Sequence, residues 1–208
     1  MPFVTLCHLY SAEPRPQVGR TVENGSLGWQ GRRTLGGVNA DPFGDAAVSA
    51  DPHRALELRE LGMDVGLRPG ELYGLHGHRV DWLRGKLTVV DVMTREGLRQ
   101  HPKSKKSHRV VPVPPQTLEG MSRLMAGRPR DALVFTAPEG GPVTDGHFRN
   151  RVWYPAIAAA GVRRFPPRIM RHTAASWLVQ DGVPLYDVQA LLGHEDYATT
   201  QRYANPRA

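Results

Sequence analysis

From residue 51 onward the chain alternates between stretches in which apolar residues recur at helical spacing and shorter runs rich in β-formers. Between His53 and Met63, Ala55, Leu56, Leu58, Leu61 and Met63 stand among charged residues, which predicts an amphipathic helix. Gly66 and Pro69-Gly70 then punctuate the chain, so that Arg68 is presented at a turn ahead of an apolar segment reaching Leu75. Lys86–Met93 and His108–Val113 read as two antiparallel strands joined by a long hairpin loop. Thr117–Met125 predicts a helix and 132–135 a short buried stretch. Thr144 is placed to cap another helix that runs towards Ala160 and stops at Gly161, with Pro155 dividing it.

The last fifty residues are the most regular. Pro166-Pro167 opens a helix carrying Met170, Ala174, Ala175, Leu178 and Val179 and ending at Gly182; Pro184 opens the next, whose apolar face is Leu185, Val188, Leu191 and Leu192. Gly193 terminates that helix and puts His194 directly after its C-terminus. Asp196 is a suitable N-cap for a final short helix containing Tyr203. The fold class is therefore α+β, mainly helical, with one small antiparallel sheet. Residues 1–50, with 11 Gly and Pro and no sustained periodicity, read as an irregular or poorly ordered N-terminal arm, and 51–208 as the folded domain.

Composition narrows the function classes. The chain has 208 residues and 40% hydrophobic content, enough for a real core. Its lone cysteine, Cys7, rules out an internal disulfide and any zinc ribbon, and no metal site is expected. No apolar run reaches the roughly eighteen residues of a membrane span, and the first residues lack a leader pattern. A cytoplasmic protein without a membrane partner or small-molecule cofactor is the expectation. Net charge is +7, but the first fifty residues hold four basic and four acidic side chains, so the excess belongs wholly to the remainder. It concentrates in two acid-free runs. Arg99, Lys103, Lys105, Lys106 and Arg109 form one, and Arg163, Arg164, Arg168 and Arg171 the other. A pair of such runs points to a phosphate-bearing partner.

Four blocks, GLRPGEL, PKSKKSHRVVPVP, RIMRHTAAS and LLGHEDYATTQRY, occur in that order. Together they resemble the catalytic domain of the tyrosine recombinase, or phage integrase, family over roughly Asp51 to Asn205. The resemblance implies site-specific DNA recombination and integration: strand cleavage and rejoining in double-stranded DNA through a covalent 3′-phosphotyrosine, without metal or external energy source. It also implies self-association on the DNA. By the family pattern, Arg68 and Arg171 clamp the scissile phosphate and His194 hydrogen-bonds it. Tyr203 attacks, and Glu71 orients the arginines. Lys103 takes the place of the general acid that protonates the leaving 5′ oxygen, although Lys105 and Lys106 reach the same space. Lys105, Lys106, Arg109, Arg163 and Arg164 would grip the DNA backbone. The residue types suit that chemistry, because planar guanidinium forks hydrogen-bond two oxygens at once and a tyrosine hydroxyl with a pKa near 10 must be activated. Tyr197, His172 and Trp177 read as structural.

The chain departs from the family pattern in three places. Where His-x-x-Arg is common, it has Arg168-Ile169-Met170-Arg171, and Arg168 cannot act as a base. The neutral first fifty residues show no helices of the kind a preceding DNA-binding domain needs, and five residues follow Tyr203. These features raise an alternative: the DNA-binding remnant of a truncated integrase with little or no recombinase activity. An unrelated helix-turn-helix regulator built on Arg171–Leu192 would leave the other blocks unexplained.

Overall fold

The computed structural model describes residues 22–23, 26–27, 52–100 and 108–204, with side chains described from Glu57 onward. Lys103, Lys105 and Lys106 lie outside the described residues, as does most of the N-terminal arm. Within that arm, β1 (Val22–Glu23) pairs antiparallel with β2 (Ser26–Leu27).

The first helix of the domain, α1 (Pro52–Val65), buries Leu58, Leu61 and Val65, which recur at three and four residues as the pattern predicts. That face packs on α3 (Pro115–Met125) and on α6 (Ile169–Gln180), so α1 is the strut between the two ends of the domain. Between α1 and the sheet lies α2 (Pro69–Tyr73), with Arg68 at its N-cap and Pro69 in the first turn, where a missing N–H costs nothing.

The sheet is smaller and more divided than the sequence suggests. β3 (Val80–Asp81), β4 (Lys86–Val89) and β7 (Arg109–Pro112) form three antiparallel strands in that order. The expected strand Lys86–Met93 breaks at Val90-Asp91. There the carboxylate of Asp91 is buried and takes Arg79 Nε at 2.9 Å, an ion pair that turns the chain out of the sheet. Beyond it, β5 (Val92–Thr94) and β6 (Gly97–Arg99) make a separate hairpin that packs on α2. The register Val89↔Arg109 and Leu87↔Val111 decides which side chains point inward. Because side chains alternate along a strand, Arg109 and Val111 share the buried face of β7 while Val110 faces out.

As expected, Val134 and Phe135 are fully buried. Thr144 caps α4 (Asp145–His147), accepting the His147 amide at 3.2 Å. The helix then widens into a π-helical segment, Phe148–Trp153, before α5 (Tyr154–Ala159). Pro155, which has no N–H, stands in the first turn of α5 where the pattern changes from π to α; the backbone stays helical across the junction, so the expected division does not occur.

The C-terminal elements are α6, α7 (Leu185–Leu192) and α8 (Tyr197–Gln201). Two corrections apply. α6 starts at Ile169 after a turn at Pro166–Arg168, and Tyr203 falls in the turn that follows α8, its amide bonded to the Thr200 carbonyl at 3.0 Å. Asp196 does cap α8, accepting the Ala198 amide at 2.9 Å. One core of α1, α2, the sheet, α3, α5 and the first turn of α6 includes Leu61, Leu72, Leu87, Met121 and Met170; a second, of Ala175, Leu178, Val183, Val188 and Leu192, joins α6 to α7. Burying each large apolar side chain contributes about 1.5–3 kcal/mol, so the first cluster holds its helices against the sheet and the second holds α6 against α7.

Candidate active site

The site is organised around the C-terminus of α7. Gly193 adopts the left-handed conformation, φ +68°, and the amides of Gly193 and His194 fold back onto the carbonyls of Ala190 and Gln189. That ending caps the helix but leaves the next three carbonyls, of Leu191, Leu192 and Gly193, pointing past its end, where the helix dipole is negative. Each receives a different arginine. Arg109 Nε donates to Leu191 O at 2.8 Å, Arg171 Nη2 to Leu192 O at 2.6 Å, and Arg68 Nη2 to Gly193 O at 2.9 Å. Three guanidinium groups from three parts of the chain thereby converge on one helix end.

A single carboxylate is shared by two of them, Arg68 and Arg109. Glu71, almost fully buried at the start of α2, accepts Arg109 Nη2 at 2.8 Å and Nη1 at 3.1 Å, and Arg68 Nη1 at 2.9 Å and its backbone amide at 2.8 Å. Burial alone would raise its pKa, but the bonds and charges of Arg109 and Arg68 outweigh that and hold it below the ordinary carboxylate value. Glu71, expected to orient the arginines, is hydrogen-bonded to Arg68 and Arg109. Arg109 does not match: expected to face DNA, its side chain is only 6% exposed and is bound to Glu71 and Leu191. The alternation along β7 turns it inward, and it acts as a brace within the protein.

Arg171, on the first turn of α6, also gives Nη1 to Gly66 O at 2.9 Å. Burial, then the neighbouring charge of Arg68, lowers its pKa to about 9, so it remains cationic at neutral pH. Arg68 is its more open partner, its side chain 41% exposed. With three arginines against one carboxylate, the cluster carries an excess of positive charge at a partly open edge. Each terminal nitrogen of a guanidinium bears two N–H groups, so the bonds to carbonyls still leave donors for an anion.

The remaining residues come from the segment after α7. His194 is buried, its Nδ1 2.9 Å from the hydroxyl of the fully buried Thr200. Burial and the charges of Arg171 and Arg68 lower its pKa to about 4, which keeps the ring neutral. The Tyr203 hydroxyl lies 2.5 Å from Nδ1 of His172, and the rings pack with centroids 6.0 Å apart. His172, read as structural from the sequence, stands at the Tyr203 hydroxyl, and Thr200, not singled out by the sequence, stands at His194. Thr200 precedes Tyr203 by three positions, a spacing that sets both on one side of a helical turn, and His172 directly follows Arg171.

Arg68, Glu71, Arg171, His194 and Tyr203 thus stand in one region. Arg168 is exposed at the N-cap of α6, and Arg163 and Arg164 are exposed before it. Arg164 lies over the ring of Tyr154, its guanidinium carbon 3.8 Å from the centroid. Tyr197, read as packing, is instead 41% exposed on α8. Among the described residues, no group of three or more His, Cys, Asp and Glu is arranged to hold a metal, and no helix is long and apolar enough to cross a membrane.

The chain and its fold are similar to known proteins. The chain is similar to tyrosine recombinase XerD of Vibrio cholerae, 32% identical over 175 residues that cover 77% of this chain and 54% of that protein. Tyrosine recombinase XerC of Pseudomonas aeruginosa strain LESB58 is 34% identical over 177 residues, 83% of this chain and 55% of the other. The chain thus spans about half the length of the curated relatives it matches. Among solved structures, the integrase of the transposon Tn1549 in complex with circular intermediate DNA shares the fold, with a TM-score of 0.66 over 74% of this chain and 56% of that chain at 19% identity. XerA recombinase does so with a TM-score of 0.58 over 76% and 53% at 21% identity. The phage integrase family matches residues 44–208, and with the fold and relatives above this makes the chain a member of that family, carrying a tyrosine recombinase catalytic domain.

Proposed function

We propose that this chain cleaves and rejoins double-stranded DNA, as part of site-specific recombination or integration, through a 3′-phosphotyrosine on Tyr203. The observation that carries the reading is the meeting of Arg68, Arg171, His194 and Tyr203 at the end of α7, with Glu71 holding Arg68 in place. A phosphodiester drawn to the excess positive charge would take N–H donors from Arg68 and Arg171. Both guanidinium groups are anchored to backbone carbonyls, so little reorganisation is needed as charge grows on the phosphoryl oxygens. With the Thr200 hydroxyl donating to Nδ1, neutral His194 carries its proton on Nε2, the tautomer that donates to a phosphate oxygen.

The tyrosine oxygen forms the bond to phosphorus as the bond to the 5′ oxygen breaks. That oxygen takes a proton from Lys103, Lys105 or Lys106, with Lys103 preferred. The bond energy is kept in the phosphotyrosine for a second 5′ hydroxyl to reclaim. Arg163, Arg164 and Arg168, all exposed, extend the contact along the DNA backbone, and copies of the protein associate on the DNA during exchange. The work is done in the cytoplasm, with no membrane partner and no small-molecule cofactor.

The test is a nicked duplex whose cut 5′ end diffuses away and so traps the covalent state. Wild-type protein should give an SDS-stable protein–DNA adduct, and Tyr203→Phe should give none. Binding without any adduct over many substrates would favour the remnant reading, and an adduct in Tyr203→Phe would refute the nucleophile.

A further inference from the structure

Tyr203 needs a proton acceptor, since a hydroxyl with a pKa near 10 is a weak nucleophile at neutral pH. Arg168 cannot accept a proton. His194 has Nδ1 engaged by Thr200. The nitrogen at the tyrosine is Nδ1 of His172, 2.5 Å from the hydroxyl oxygen, closer than an ordinary hydrogen bond and positioned for an O–H to donate to an imidazole lone pair. We propose that His172 is the general base: its Nδ1 takes the Tyr203 proton as the tyrosine oxygen bonds to phosphorus, and returns it when a 5′ hydroxyl displaces the tyrosine. This rests on the reading of Tyr203 as nucleophile given above. The proton ledger closes, because the proton lost by Tyr203 stays on His172 while the leaving 5′ oxygen is protonated separately by the basic loop.

The surroundings suit the role. His172 is half-buried on α6, and the charged groups facing it are Arg168 and Arg171 from its own helix and Arg202 from the turn beyond α8; Tyr203 is its direct partner and His194 a further titratable neighbour. Burial first, then the three arginines, holds its pKa below the ordinary histidine value, so at neutral pH the ring is uncharged with a lone pair to offer. A phosphate seated among the arginines cancels part of that positive field. The basicity of His172 therefore rises when substrate arrives, which keeps Tyr203 protonated on the free protein.

Single-turnover cleavage of the nicked substrate by the full chain tests this, with DNA binding and thermal unfolding measured alongside. His172→Ala should cleave about 10²–10⁴-fold more slowly at neutral pH, lose the low-pH limb of the wild-type profile, and regain rate in proportion to added imidazole. His172→Gln, which keeps a hydrogen bond but cannot take a proton, should stay slow and gain nothing from imidazole. Either variant cleaving within about threefold of wild type overturns the proposal, as does a slow His172→Ala that keeps the wild-type pH profile and ignores imidazole. Wild-type protein that forms no adduct overturns the recombinase reading and the base with it; active wild type beside an equally active His172→Gln overturns the base alone.

Discussion

Glu71 is the residue on which the site depends most. It is buried and neutralises part of two arginines, one of them buried with it, so its removal leaves Arg109 as an uncompensated interior cation. Glu71→Ala should destabilise the fold by about 3–5 kcal/mol, with Glu71→Gln between it and wild type because the amide keeps some hydrogen bonds. Urea denaturation at unchanged m-value measures this. His194 supplies a second residue-scale prediction. Its pKa falls from an ordinary 6.5 to about 4 in the fold, so between those values the unfolded chain binds the extra proton. Stability must therefore fall as pH drops from 6.5 towards 4, by on the order of 1–3 kcal/mol from this group, with His172 acting in the same direction. The Glu71 contribution is present above the ordinary 4.5 and is lost only below it, as the carboxylate finally protonates. In His194→Gln the decline between pH 6.5 and 4 should be shallower.

At the level of elements, the end of α7 is what turns three arginines into one site. Gly193 holds φ +68°, and a Cβ there would stand 3.1 Å from Arg109 Cδ and Nη1. Gly193→Ala should cost about 1–2 kcal/mol from the left-handed backbone, and should slow adduct formation more than that figure suggests because it shifts the carbonyls that aim Arg68 and Arg171. Gly66→Ala should be worse for stability, since φ is +73° and the added carbon would lie 2.5 Å from Leu192 Cδ2 in the second core. Comparing adduct rates and melting temperatures of the two variants checks the ordering. Such helix ends were legible beforehand: Thr144, Asp196 and Gly193 are local signals whose partners lie within a few residues. The β5–β6 hairpin was not. Its cause is the burial of Asp91 against Arg79 twelve residues away, a contact that no window of β propensity contains.

For the whole molecule, the positive charge beyond residue 50 has two destinations that composition cannot separate. Arg163 and Arg168 are exposed, whereas Arg109 lies inside. The logarithm of the affinity for DNA should fall linearly with the logarithm of salt concentration, and Arg163→Ala should reduce that slope by about 1. Arg109→Ala should leave the slope unchanged while lowering the melting temperature, and a slope change there would put Arg109 back on the DNA face. By itself the sequence carried the resemblance to the family, the mainly helical class and most helix ends, and through that resemblance it proposed Arg68, Glu71, Arg171, His194 and Tyr203 as site residues, because motif blocks and helix ends are local patterns of residue types. Only the tertiary structure decided that Arg109 braces Glu71, that Thr200 orients His194, and that His172 meets Tyr203. The strand register sets the first, and the return of the chain after α7 sets the other two. All three are contacts between side chains whose distance is a property of packing rather than of position in the chain.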